Sequence, residues 1–239
     1  MSRRATTGIA IGALIAMAIG LWVWVGAQGG DEATEEVALE GGDDAEDEER
    51  AEAWRALQLE SRELIPELLD GVALGMSIEQ VQQLRPQAQR NAATASNPET
   101  PGLTFLEEDL RGGARAVYGF EVDSRRLQRV QILSLLPGQE AIGPHLAAMN
   151  ERYGSPTGIW TCPNTGGVPT RRFTWRHGRT TVSDIFLVYG GRVSQTLYIA
   201  PSGVTFVSLR RAGCRPVQSA DEARTFPVTT PDQMMDSDE

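Results

Sequence analysis

Hydrophobic and polar positions divide the chain into distinct regimes, and each predicts a different kind of structure. From Arg4 to Asp31 the sequence carries no charge, and residues 8–25 are almost wholly apolar. A helix needs about 20 such residues to cross a bilayer, so this run predicts a single membrane-spanning segment within residues 1–30. Trp22 and Trp24 stand near its far end, where amphipathic rings favour the interface, and Arg3 and Arg4 belong on the cytoplasmic side. The rest of the chain is then extracytoplasmic, held at the inner (plasma) membrane by one pass. A cleaved signal peptide is the competing reading, since Val25 and Ala27 put small residues ahead of Gln28. Gly8, Gly12, Ala16 and Gly20 recur every four residues on one stripe of the segment, a pattern that lets two helices approach closely in a homodimer. Residues 31–50 combine dense like charge with few large apolar side chains, which predicts an extended, disordered, acidic tether.

Helical spacing resumes in "AEAWRALQLESRELIPELLDG", where Trp54, Leu57, Leu64 and Leu68 line one stripe, Pro66 interrupts it and Gly71 stops it. Ser77 then precedes Ile78, Val81 and Leu84, with Gln80 three residues on. This is a capping box, in which the Ser hydroxyl accepts from the Gln80 amide and the Gln80 side chain answers back. Gly75 supplies freedom for the tight turn before it. A polar loop rich in Ala, Asn and Pro follows. "ARAVYGFEVDSRRLQRVQILSLLP" alternates, with Ala116, Tyr118, Phe120 and Val122 sharing one face and "DSRR" as a hairpin turn.

"GPHLAAMNERYGSP" predicts a helix with Pro144 at its start and Gly154 near its end. Further strands are expected in "TRRFTWRH", in "RTTVSDIFLVYGG" with its partner "RVSQTLYIAP", and in "VTFVSLRR", with Gly178, Gly190 and Gly191 marking turns. Residues 216–239, with scattered Pro, Thr, Asp and Glu, read as a disordered acidic tail. The domain expected over residues 51–215 is therefore α+β, with helices packed on one face of an antiparallel meander. A short helix followed by a hairpin occurs over residues 77–136 and again over 144–199, a weak internal repeat.

Charge changes this picture less than the net value of −10 suggests. Residues 31–49 hold 11 acids and no base, and residues 231–239 hold 4 more acids. Residues 50–230 carry 20 arginines against 17 carboxylates, so the expected globule is close to neutral and the acidic pI says nothing about its ligand. All 22 basic residues are arginine, which excludes lysine-based Schiff-base or phosphate-loop chemistry. Asp43, Asp44, Glu46, Asp47, Glu48 and Glu49 lack the alternating ligand positions and pivot glycine of an EF-hand loop, so they read as solvated tether.

Cys162 and Cys214 are the two cysteines, one in a Gly/Pro-rich stretch and one after the last expected strand. In an exported domain they are expected to pair, closing a loop of about 50 residues and contributing ~4 kcal/mol in the chain-entropy model, with two unpaired thiols as the alternative. His145 and His177 have no CxxC or HExxH company, so no metal site and no cofactor are expected. Ser183, Asp184 and His177 make a poor hydrolase triad, because adjacent strand residues point to opposite faces and no nucleophile elbow is present.

"RRFTWRHGR" interleaves arginine with aromatics, a mixture able to neutralise and stack nucleic acid. On a strand, Phe173, Trp175 and His177 share one face while Arg172, Thr174 and Arg176 share the other, the half-buried pattern with solvated arginines. No nucleic acid is expected in an exported domain. Arg172, Trp175 and Arg176 remain the candidate binding residues, with an acidic peptide, lipid headgroup or glycan as their natural ligand.

"LGMSIEQV" followed by a hairpin, and "LAAMNERYGSP" followed by an aromatic strand and "VYGGRVSQTLYI", resemble the small envelope domains of the BamE/SmpA outer-membrane assembly lipoproteins and the β-lactamase-inhibitor proteins. In those families a Gly-Met-Ser or Gly-Met-Thr turn starts a helix that packs on a meander. The likeness spans residues 71–200 and departs from the lipoproteins where a membrane segment stands in place of a lipidated cysteine. It implies a non-enzymatic binding or scaffolding module that recognises another envelope protein. A hydrolase with a dispersed site, which calls for a deep pocket around His145 or His177, and a small-ligand or lipid carrier, which calls for an apolar cavity, are the alternatives.

Overall fold

The structure, a computed structural model, describes residues 43–90, 102–163, 169–226 and 228–229. The expected spanning segment, its stripe of Gly8, Gly12, Ala16 and Gly20, and residues 31–42 of the tether lie outside these. Among the described residues no helix is long and apolar enough to cross a membrane.

Helix α1 (Asp43–Leu64) starts inside the acidic stretch, so the expected boundary at residue 50 falls within a helix. Acidic residues at a helix start are favoured by the positive end of its dipole, an effect that a count of like charges misses. The helix ends ahead of Pro66, as a residue without an amide proton and with a fixed φ requires. Leu57 and Leu64 are buried on its stripe, but Leu68 is 43% exposed and Leu69 is buried instead. The tighter 3-10 turn Glu67–Leu69 changes the phase after the break and swaps the two. Helix α2 (Ile78–Leu84) begins at the capping box: the Ser77 hydroxyl accepts from the Gln80 amide at 3.2 Å, and the Gln80 side chain accepts from the Ser77 amide at 2.9 Å. Gly75 turns the chain into that cap at φ +83°, so close under Trp54 that a Cβ would lie 3.0 Å from its ring.

The strands are β1 (Gln89–Arg90), β2 (Leu103–Asp109), β3 (Arg115–Glu121), β4 (Leu127–Leu136), β5 (Gly158–Cys162), β6 (Thr170–His177), β7 (Thr180–Tyr189), β8 (Arg192–Pro201), β9 (Arg215–Pro216) and β10 (Val228–Thr229). Helix α3 (Ile142–Tyr153) precedes β5, α4 (Ser202–Arg211) follows β8, and the short α5 (Ala220–Arg224) follows β9. The sheet order is β1-β2-β3-β4-β8-β7-β6-β5-β9, with neighbours antiparallel throughout. The repeat is thus fuller than its sequence signal. Helix α2 with the meander β1–β4 and helix α3 with the meander β5–β8 follow the same order, and the two meanders meet where β4 and β8 pair antiparallel, from Val130 opposite Ile199 to Leu136 opposite Val193. Alternate residues of this sheet point to opposite sides. One side, the first face, carries the hydrophobic core: Tyr118, Phe120, Val130, Trp175, Val182, Phe186 and Ile199 meet Leu57, Leu64, Val81, Met149 and Tyr153 from α1, α2 and α3.

Other differences from the sequence reading have physical causes. "VTFVSLRR" is helix α4, not a strand. Its β-branched composition suggests extension, but burial falls on Ser202, Thr205 and Leu209, a helical spacing, and leaves Phe206 and Val207 43% and 51% exposed. Strand β2 lies in what reads as polar loop, because Glu108 is buried at 6% exposure with its charge met by Arg85 and Tyr118. Val122 is 51% exposed because β3 ends one residue before it. The segment after residue 216 is partly ordered. Buried Arg171 donates to the carbonyls of Glu222 and Thr225 at 2.8 and 2.6 Å, and the Phe226 ring packs 6.2 Å from Phe173 and 5.8 Å from Phe186. Strand β10 adds parallel to the end of β7. One buried arginine and one aromatic anchor thus hold a segment whose composition alone reads as disordered.

Candidate functional site

The cysteines form a disulfide, Cys162 with Cys214, across a separation of 52 residues. Cys162 is the last residue of β5, and Cys214 follows α4 and leads into β9, so the bond ties the outermost strands to the end of the helix.

Strand β6 divides the candidate binding residues between the two faces. Trp175 is 0% exposed on the core side, where its indole N–H donates to the Gly154 carbonyl at 2.8 Å and its ring sits 6.1 Å from Tyr153. It is therefore a core residue and leaves the binding set: the aromatic parity that marks it also puts it under α3. Arg176 is exposed on the opposite, second face and lies over the Phe206 ring of α4 at 5.8 Å. Arg172 shares that second face but is not solvated, being 5% exposed.

The second face around Arg172 is built by strand register. Arg172 stands opposite Ile185, Ile185 opposite Thr196 and Thr196 opposite Leu133, so one row crosses β6, β7, β8 and β4. The next row runs Thr174, Ser183, Tyr198, Gln131 and Val117. Arg172 donates to the Ser183 hydroxyl at 3.1 Å and lies 5.2 Å from the centre of the Tyr198 ring. Arg129 comes in from β4 and lies over Phe105 at 4.7 Å. That approach needs Gly119, which stands between Phe105 and Arg129 in register and where a Cβ would come within 2.7 Å of the Arg129 side chain. Gly158 does the same for Trp160, whose indole nitrogen would lie 2.8 Å from an added Cβ. Two glycines thus let a guanidinium and an indole fold flat over the strands.

Burial weakens two cations of this face, which also carries Glu107, opposite Val117 and 3.7 Å from Arg115. Burial lowers the Arg172 pKa to about 10, with Tyr198 opposing the shift, and burial lowers Arg129 against the same opposing neighbour. Neither arginine forms an ion pair with a described carboxylate. Beyond them the face turns apolar, with Leu133 and Leu135 38% and 73% exposed and Ile185 and Leu187 half-buried.

The first face holds a polar thread inside the core. Asp184 is 0% exposed; its Oδ2 lies 2.7 Å from His145 Nε2 of α3, and its Oδ1 accepts from the Gln195 amide at 2.5 Å. The Ser134 hydroxyl donates in turn to Gln195 Oε1. Ser183 and Asp184 do point to opposite faces, and the histidine that meets Asp184 is His145, while His177 faces Tyr153 at 6.1 Å. An open hollow of about 520 Å³ lies at the β1–β2 edge, lined by Arg90, Glu107, Glu108, Asp109 and Arg115 among others, and another of about 280 Å³ lies by Val207, Arg210 and Arg211. Neither is lined by His145 or His177.

Arg129, Tyr198 and Trp160 escaped the sequence reading, and Ser183 entered it only as a member of a poor triad. The signal for Arg129, Tyr198 and Ser183 was parity, the alternate register of strands whose core positions were already visible; Trp160 lies on β5, a strand the sequence reading did not expect. No family model, no curated protein and no solved structure matches the chain.

Proposed function

We propose that the protein is a non-catalytic binding or scaffolding module of the cell envelope, which recognises another protein through the second face of its sheet. The observation that carries this reading is the character of that face. It combines the buried cation of Arg172, which has no carboxylate partner among the described residues, with exposed Leu133 and Leu135, while the packing of α1, α2 and α3 is spent on the other side. Aromatic and arginine side chains beside apolar surface are the usual composition of a recognition patch. The disulfide supports an oxidising compartment, in keeping with export by the apolar N-terminal segment. A non-enzymatic module is also what the resemblance to small envelope domains implies.

The enzyme alternative draws on the His145–Asp184 pair. In that thread, however, the Ser134 hydroxyl is bound to Gln195 and not to His145, so nucleophile and base are not joined. A lipid carrier needs space between sheet and helices, and Trp175, Tyr118, Phe120 and Phe186 are all fully buried in that layer.

Crosslinking in intact cells with the full-length tagged chain, read by mass spectrometry, tests the proposal. A discrete partner is expected with the native chain and is lost in Leu135→Glu, whose disulfide and circular dichroism remain native. Absence of any partner at native abundance contradicts the proposal.

A further inference from the structure

The second face of the sheet holds three buried hydrogen-bond donors without an acceptor, while Arg171 Nε is another on the first face. The Nε–H groups of Arg172 and Arg129 and the Nε1–H of Trp160 are buried, and none has an acceptor. Buried donors are satisfied in the great majority of cases, so three left open on one side of one sheet mark a place where an acceptor is expected. Trp160 is the register neighbour of Arg172, and Tyr198 lies beside the Arg172 guanidinium, so the groups line one face from β4 across β8, β7 and β6 to β5. Charge points the same way. Arg129 and Arg172 have no described carboxylate partner, and a cation held away from water is costly unless something supplies its counter-charge.

We propose that Arg129, Arg172 and Trp160 form a carboxylate-binding site for an acidic, extended segment of the partner protein, an inference that rests on the sheet-face reading above. Guanidinium and indole groups are donors only, so they match a carboxylate and offer nothing to a cation or an amide donor. Ile185 and Leu133, in the same row as Arg172, supply contact for apolar residues alternating with the acids. Phosphate shares the donor match but has no use for that row.

The test is titration of the full-length chain with a hexaglutamate peptide, beside inorganic phosphate, at two salt concentrations. Saturable binding is expected that weakens with salt, falls at least tenfold in both Arg172→Gln and Arg129→Gln, and shifts the Trp160 indole N–H resonance of the native protein. The resonance reports on the site even where a variant folds poorly. Several outcomes would overturn the inference: no saturation, binding by either variant as tight as by the native chain, phosphate binding as tightly as peptide, or peptide binding that emerges only after residues 31–42 are deleted. The last assigns the site to the chain's own acidic stretch. Loss of the inference leaves the sheet-face reading testable on its own, since partner capture blocked by Leu135→Glu but intact in Arg172→Gln keeps the surface and removes only its carboxylate.

Discussion

At the scale of single residues, the proposed recognition rests on a few positions that sequence composition does not single out. Gly119 has ordinary backbone angles, and its value is the missing side chain that leaves room for Arg129 over Phe105. Gly119→Ala is therefore expected to weaken acidic-peptide binding severalfold, measured by titration, with a melting temperature lowered by a few degrees at most. Removing the buried charge of Arg172 relieves a desolvation cost while giving up its bond to Ser183. Arg172→Met should hence change stability at pH 7 by less than about 1 kcal/mol, whereas a purely structural arginine would cost several times that; urea unfolding distinguishes the two. The Ser77 cap is the reverse case, a residue with a structural role alone. Ser77→Ala should cost about 1 kcal/mol in the same assay and leave binding untouched.

Tyr118 supplies a pH prediction. Burial, reinforced by the Glu108 carboxylate that accepts its hydroxyl, pushes its pKa well above the ordinary 10.0. A pKa raised by folding means that the native state holds its proton more tightly. The associated stability is intact below about pH 10 and declines as pH rises beyond it. Alkaline unfolding curves should show that decline in the native protein and a flatter one in Tyr118→Phe.

At the scale of elements, what was readable in the sequence follows the strength of local pattern. The capping box, the break before Pro66, the hairpin of β7 and β8 and the turn at Gly154 were all visible, because each is fixed by residues within one turn of the chain. Helix α4 was misread as a strand, and β2 and the Phe226 segment as loop and tail, because distant partners decide them: Glu108 needs Arg85, and Phe226 needs Phe173 and Phe186. The site was half visible for the same reason. Arg172 and Arg176 stood out beside aromatics, but Trp175 shared their stretch while belonging to the opposite face, and Arg129 joins them only through the pairing of β4 with β8. The disulfide holds the ends of β5 and α4 together, and its removal by Cys162→Ala with Cys214→Ala should cost about 4 kcal/mol in the chain-entropy model, read as a lowered urea midpoint. Local loss of protection from hydrogen exchange is expected first in β9 and α4, the elements it ties down.

At the scale of the whole molecule, two helix-plus-meander units join edge to edge into one sheet, and most of its helices gather on one side. That asymmetry underlies the proposed site: the core consumes one face, and the other holds arginines, an indole and apolar side chains in fixed register. The most direct test places a photo-crosslinking residue at Leu135 on the second face and, separately, at Leu59, which is 71% exposed on α1. In living cells a discrete partner is expected from Leu135 and not from Leu59. Capture from Leu59 alone, or from neither position, would contradict recognition through the sheet.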